Sequence, residues 1–247
     1  MSHSSDRDHT IKVAIAQAAP VPSDLAASLE IALAAIEEAA RNGAQLICFG
    51  ESFLSGYPAW LDYCPGAALW DSKPVKQVFA QLRANSVVVP GAESRTLAEA
   101  AARLEIGIVI GVNERVQNAP GHGTVCNGLL FFGPDGTLLN HHRRMVPTYS
   151  ERLVWGSGDS AGLRSAEIHH ANVGGLICWE HWMPLARQLS LSELFGVVPS
   201  FFAIQAREYL VTKITAISHR NQALSSQAEC LALSMKDTLP SASFTRT

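Results

Sequence analysis

The chain has 247 residues, 47% of them hydrophobic and 17% charged, enough to build a full core for one large domain or two small ones. Lys+Arg 19 against Asp+Glu 22 gives a formal charge of -3, without the basic surplus that drives phosphate-backbone binding, so nucleic acid is not an expected partner. Five cysteines (Cys48, Cys64, Cys126, Cys178, Cys230), odd in number and without a CxxC pair, point away from a disulfide framework or a zinc site.

Residues 1–10, MSHSSDRDHT, are polar and read as a disordered N-terminal segment. No apolar signal-peptide core follows them, and no apolar run approaches the roughly 18 residues of a membrane span, so a cytoplasmic protein without membrane contact is expected. Ile11 to Gln17 is a β-branched run suited to a buried strand. Ser23-Asp24 then offers an N-cap for a helix with Leu25, Leu29, Leu33, Ile36 and Ala40 on one face, closed by Gly43. Leu46 to Phe49 is a second strand ending in Gly50-Glu51, and this strand–helix–strand opening is the unit that builds parallel or mixed sheets. Helices are predicted over Val75 to Ala84 and Ala92 to Leu104, and strands over Ile106 to Val112 and Cys126 to Phe132. Gly133-Pro134-Asp135-Gly136 before Leu138-Leu139 predicts a hairpin, and Val173 to Cys178 a last strand, with Trp179 turning toward a helix. Beyond Arg187 only Gly196 remains of 18 glycines, and strand alternation fades. Residues 188–247 read either as a helical segment or as an atypical ending.

Three stretches carry candidate chemistry. Cys178 ends the apolar run GGLIC and enters a turn, where a thiol is exposed to whatever binds above the sheet and the following N–H groups can face an oxyanion. The alternative is a cysteine packed as a small hydrophobe. Glu51 follows LICF and meets the aromatic turn Phe53 to Pro58; a carboxylate held there has a raised pKa and suits a general base, or else caps a loop. His141 and His142 are adjacent, so on a strand they point to opposite faces and one metal ion cannot use both; His169-His170 meets the same objection.

Three segments, FGESFLSGYP, HHRRMVPTYSERLVWGSGD and GGLICWEHWMPLAR, occur in the order in which they stand in the nitrilase superfamily, the carbon-nitrogen hydrolases, and resemble its nitrilase branch over about residues 11–187. The resemblance implies an α/β fold, a four-layer αββα sandwich, no cofactor and no metal. Glu51 matches the family's general base, Cys178 its nucleophile and Glu151 its additional orienting glutamate. The family's lysine falls on Arg144, and no lysine lies between Lys76 and Lys213. Arginine keeps the charge but is a poor proton donor with a broad planar fork. Gly50 stands where the family usually has proline, and His181 where nitrilases often have asparagine. The implied reaction is hydrolysis of a small organic nitrile through a Cys178 thioimidate and thioester, with an amidase or cyanide-converting activity, or an impaired oligomer subunit, as the alternatives. Trp179 N–H would face the substrate heteroatom, and Tyr57, Trp60, Trp155 and Trp182 would line the substrate site. Family members associate through surface helices, so a homo-oligomer is expected. The closing elements of the family are not recognisable in residues 188–247.

Overall fold

The computed structural model describes residues 11–117 and 119–192, with the backbone alone of 188, 190–192, 196–197, 204–205, 214–218 and 244–245. The expectations for residues 1–10, and most of those for 188–247, lie outside the described residues. Strand β1 (Val13–Gln17), helix α1 (Leu25–Arg41) and strand β2 (Leu46–Cys48) form the opening unit. Asp24 caps α1, its Oδ1 accepting from Ala27 N at 2.9 Å, and Gly43 takes the positive φ of 73° that closes the helix end. The buried face of α1 is Ser28, Ala32, Ala35, Ile36 and Ala39, while Leu25, Leu29 and Leu33 are only partly buried. The core-facing stripe is thus rotated toward small residues, which let α1 sit close to the sheet.

Helix α2 (Trp60–Tyr63) was not predicted; α3 (Lys73–Ala84) begins two residues earlier than expected, at a Pro in its first turn. Helix α4 (Ala92–Leu104) has the predicted bounds. Strands β3 (Gly107–Arg115), β4 (Val125–Phe132) and β5 (Leu138–Arg143) form an antiparallel meander, with Gly136 at φ 82° in the predicted hairpin. A short antiparallel pair follows, β6 (Ala166–Ile168) with β7 (Ala171–Val173), and then helix α5 (Pro184–Ser192). Strands β8 (Gly196–Val197) and β9 (Ile204–Gln205) pair with one another, while β10 (Ile214–Ser218) and β11 (Phe244–Thr245) join the main sheet.

The order in that seven-stranded sheet is β11-β10-β1-β2-β3-β4-β5. β10, β1, β2 and β3 run parallel. One face packs Ile47, Ile108, Ile110 and Leu130 under Ala32, Ile36 and Leu97 of the helices. The other packs Val13, Leu46, Val109, Leu129 and Phe131 against Ile168, Val173 and Ile177. A helix layer, a sheet and the hairpin of a second sheet are therefore stacked in sequence, the α/β fold expected of the nitrilase superfamily. Burial of one such large side chain contributes about 1.5–3 kcal/mol.

One predicted element is corrected. The run Val173 to Cys178 is paired only as far as Val173, and 174–177 is extended chain outside any strand ladder. The alternative use of its backbone is visible at Ile177, whose N–H donates to Glu180 Oε2 at 2.7 Å instead of to a neighbouring strand. Gly175 lets this stretch lie flat on β4, since a Cβ there would stand 2.6 Å from Phe131 Cζ.

Candidate active site

β2 ends with Phe49 N donating to Val109 O at 2.9 Å, and the chain then folds sharply back, with Ser52 at φ 53° and Ser55 at φ 77°. The turn fits because Gly111 of β3 has no side chain: a Cβ there would lie 2.3 Å from Gly50 O, 2.6 Å from Ser52 N and 2.7 Å from Glu51 Cα. Glu51 is thereby held beyond the carboxyl ends of parallel strands, where open α/β sheets place ligands. Its Oε1 accepts from Asn127 Nδ2 at 3.0 Å and lies 3.5 Å from Arg144 Nη1, while Oε2 is buried without a hydrogen-bond partner.

Arg144 follows β5 and is tied to β4 by its own N–H, donated to Asn127 O at 2.8 Å. It is 1% exposed, the largest fully buried side chain among the described residues. Nη1 lies 2.7 Å from Glu151 Oε2, and Nη2 donates to Thr148 Oγ1 at 2.6 Å. Glu151 is fixed from the other side, because Oε2 accepts from Thr148 N at 2.6 Å and Oε1 from the Tyr57 hydroxyl at 3.3 Å. Tyr57, Glu151, Arg144, Glu51 and Asn127 thus form one continuous polar network from three segments.

Cys178 is half-buried and opens a short 3₁₀ turn over Cys178–Trp182, at a φ of 54° that a side-chain-bearing residue seldom adopts. It shares the electrostatic environment of Glu51, Arg144 and Glu151. Burial pushes the Glu51 carboxyl up to about 7; Arg144 and the Asn127 hydrogen bond oppose this, and Glu151 and Glu180 reinforce it. Burial, then the Glu51 charge, raises the Cys178 thiol, while Arg144 and the Trp179 N–H pull it down. Cys48 and Cys126 are buried, with thiols pushed up to about 12 and about 11, and are inert by comparison. The arrangement supplies a thiol, a carboxylate poised to change protonation near neutrality and a fixed cation, the parts needed for nucleophilic attack on an electrophilic carbon.

Other candidate residues are placed differently. Trp155 is 2% exposed and buried behind Tyr57, with the rings edge-on at 5.6 Å and its Nε1 donating to Asn113 Oδ1 at 2.8 Å. Trp60 packs partly buried against the cluster of Leu82, Val125, Val154 and Trp155. Trp179 and Trp182 stand on the surface with ring centroids 6.0 Å apart. His141 and His142 take separate carboxylates, Glu114 and Glu180, each at 2.8 Å. Among the described residues no group of three His, Cys, Asp or Glu is arranged to hold a metal ion.

Asn127, Thr148 and Glu180 were missed from sequence. Asn127 is a lone amide in an otherwise apolar strand, and Thr148-x-x-Glu151 has the spacing of a capping box, so both left a readable trace.

The family model for carbon-nitrogen hydrolase matches residues 12–193. The aliphatic nitrilase of Sinorhizobium fredii (strain HH103) is 40% identical over 178 residues, covering 71% of this chain and 55% of that protein. The bifunctional nitrilase/nitrile hydratase NIT4 of Oryza sativa subsp. japonica is 38% identical over 181 residues, 72% of this chain and 49% of its own. The chain therefore spans about half the length of these curated relatives. In fold it is similar to Saccharomyces cerevisiae Nit3, with a TM-score of 0.52 at 21% identity, covering 72% of this chain and 58% of that one. It is also similar to an amidase from Nesterenkonia sp., with a TM-score of 0.57 at 13% identity, covering 97% of this chain and 77% of that one. The sequence match running from β1 into α5, through the segments that carry Glu51, Arg144 and Cys178, makes this chain a member of the carbon-nitrogen hydrolase family.

Proposed function

We propose that the protein hydrolyses a small organic nitrile to the carboxylic acid and ammonia, with Cys178 as nucleophile and Glu51 as general base. What supports this reading is that Arg144 lies 3.5 Å from Glu51 and that the charges of both, distant in sequence, act on the Cys178 thiol; the nitrilase names of the relatives supply the substrate class. Cys178 Sγ adds to the nitrile carbon as the thiol proton passes to Glu51 and on to the nitrile nitrogen, giving a thioimidate. Water adds to the same carbon as Glu51 takes one of its protons and returns it to the nitrogen; the new hydroxyl then gives up its proton through Glu51 to the nitrogen as the C–N bond breaks, so ammonia departs and a thioester remains. A second water, activated in the same way, releases the acid and restores the thiol. The Trp179 N–H stabilises charge on the substrate heteroatom, Arg144 holds the positive charge of the site, and Glu151 orients it. Tyr57 shapes the substrate side, with Trp155 backing it, while the surface position of Trp182 takes that residue out of the substrate lining. No cofactor takes part. We extend the proposal to a cytoplasmic homo-oligomer whose catalytic domain spans residues 11–187.

A second reading, a family member with impaired turnover, is favoured by Arg144 itself. Its Nη1 is ion-paired with Glu151 and its Nη2 engaged by Thr148. Ammonia release from a panel of aliphatic and aromatic nitriles and their amides separates the two. The parent is expected to release ammonia and Cys178→Ala none, while Cys64→Ala and Cys126→Ala keep measurable turnover. Turnover surviving in Cys178→Ala removes the covalent route, and a folded parent silent on the whole panel favours the impaired member.

A further inference from the structure

Glu180 is wholly buried two residues after Cys178, and its carboxylate meets three donors from two stretches of chain. Oε2 accepts from Ile177 N at 2.7 Å and lies 2.8 Å from His142 Nε2, while Oε1 accepts from Met145 N at 2.7 Å. Ile177 immediately precedes Cys178, Met145 immediately follows Arg144, and His142 belongs to β5. One side chain therefore joins the turn of the thiol to the strand end of the guanidinium. A carboxylate is kept in a dry interior only where its lone pairs are satisfied, and these donors, His142 foremost, hold Glu180 below the usual carboxylate range in spite of its burial. The left-handed backbone of Cys178 also needs an outside constraint, because such a conformation persists only where surrounding contacts over-determine it. The Ile177–Glu180 bond closes the turn around that residue.

We propose that Glu180 is a positioning residue that fixes Cys178 relative to Arg144 and Glu51 by clamping the 177–182 turn to the end of β5. This rests on the reading of Cys178 as the nucleophile. The chemistry of the clamp is specific to a carboxylate: an amide offers one acceptor oxygen and an NH₂ group, so Glu180→Gln keeps the shape but turns an N–H toward a backbone N–H. Glu180→Asp keeps the charge and loses one methylene of reach.

The test follows alkylation of Cys178 by iodoacetamide against pH, resolved by peptide mass, with the exposed Cys64 of the same chain as internal reference. Ammonia release is measured on the same samples. In Glu180→Gln the Cys178 profile is expected to move to lower pH than in the parent, because a loosened turn frees the thiol from the burial and the Glu51 charge that raise it. There kcat falls at least tenfold with KM within about twofold. A Glu180→Gln protein that keeps the parent's Cys178 profile overturns the proposal. A parent without turnover defeats the nitrilase reading alone, since the alkylation profiles still decide the clamp. Should Glu180→Gln fail to fold, Glu180→Asp is read in the same assay with the same outcomes, and failure of both to fold assigns Glu180 to stability only.

Discussion

A guanidinium with almost no exposed surface sits between Glu51 and Glu151, and the chemistry of the site turns on these three side chains. Glu51 ionises near 7 in the folded chain and near 4.5 when unfolded, so between those values the folded state holds the extra proton. The sign follows: stability falls as pH rises through that window, and above about 7 the full loss is on the order of 3 kcal/mol. Glu51→Gln removes this dependence, so its thermal unfolding temperature relative to the parent should climb between pH 5 and pH 8. A difference flat across the interval would mean that Glu51 is not the group held protonated. The same substitution should lower turnover by about 10²–10⁴, the range for loss of a general base, and parent turnover should rise with pH through about 7 as the carboxylate forms. At Arg144 the expectation is a gain. Lysine is a compact donor that can approach the substrate nitrogen and share a proton, where the guanidinium is locked flat by Thr148 and Glu151. Arg144→Lys should raise turnover at least tenfold, about 1.4 kcal/mol of transition-state stabilisation. A parent that already works at an ordinary enzyme rate and loses it in Arg144→Lys would make arginine the working residue.

Glycines set how closely the elements approach one another around the site. Gly111 is the critical one, because the atoms an added Cβ would meet are the backbone of Gly50, Glu51 and Ser52, which cannot swing aside. Gly111→Ala should cost about 1–3 kcal/mol by denaturant unfolding, and should lower turnover by about 10² through displacement of Glu51. Wild-type values of both would show that the turn is free to move. What was legible in the sequence follows from the same geometry. A helical repeat of apolar residues announced α1, alanine content α4, apolar runs β3 and β4, and GPDG the β4–β5 hairpin, because each signal lies within its own element. The pair β6 and β7 left no signal, three residues being too few to alternate. The run Val173 to Cys178 misled because apolar composition reports burial against β4, not hydrogen bonding to a strand. Glu51, Arg144, Glu151 and Cys178 stood out by their motifs. The contributions of Gly111 and Glu180 exist only once β3 and the cysteine turn are brought to the site, and no local pattern encodes that meeting.

Across the whole molecule, the segment that delivers Cys178 also presents exposed apolar side chains. Trp182, Leu185 and Leu189 are 77%, 79% and 50% exposed, and their spacing of three and four puts them on one side of the entry to α5 and its first turns. Ala186, on the opposite side, is buried with Leu163 and Leu176, so the helix is already docked and its outward stripe is not needed for that contact. Trp179, 55% exposed and paired with Trp182, extends the stripe toward the site. A formal charge of -3 over 247 residues gives little repulsion between copies. The proposed homo-oligomer would use these exposed apolar side chains as an isologous two-fold contact, since a second copy offers the same side chains in return. The protein is therefore expected to self-associate at micromolar concentration in light scattering, and Leu185→Glu, which buries a charge in such a contact, should shift it to a smaller species with an unchanged circular dichroism spectrum. Because the stripe begins beside Cys178, dissociation should also lower turnover, more by loosening the 178–182 turn than by weakening substrate binding, so kcat falls and KM holds. A monodisperse parent monomer, or a Leu185→Glu protein of parental size, would remove this surface from the assembly.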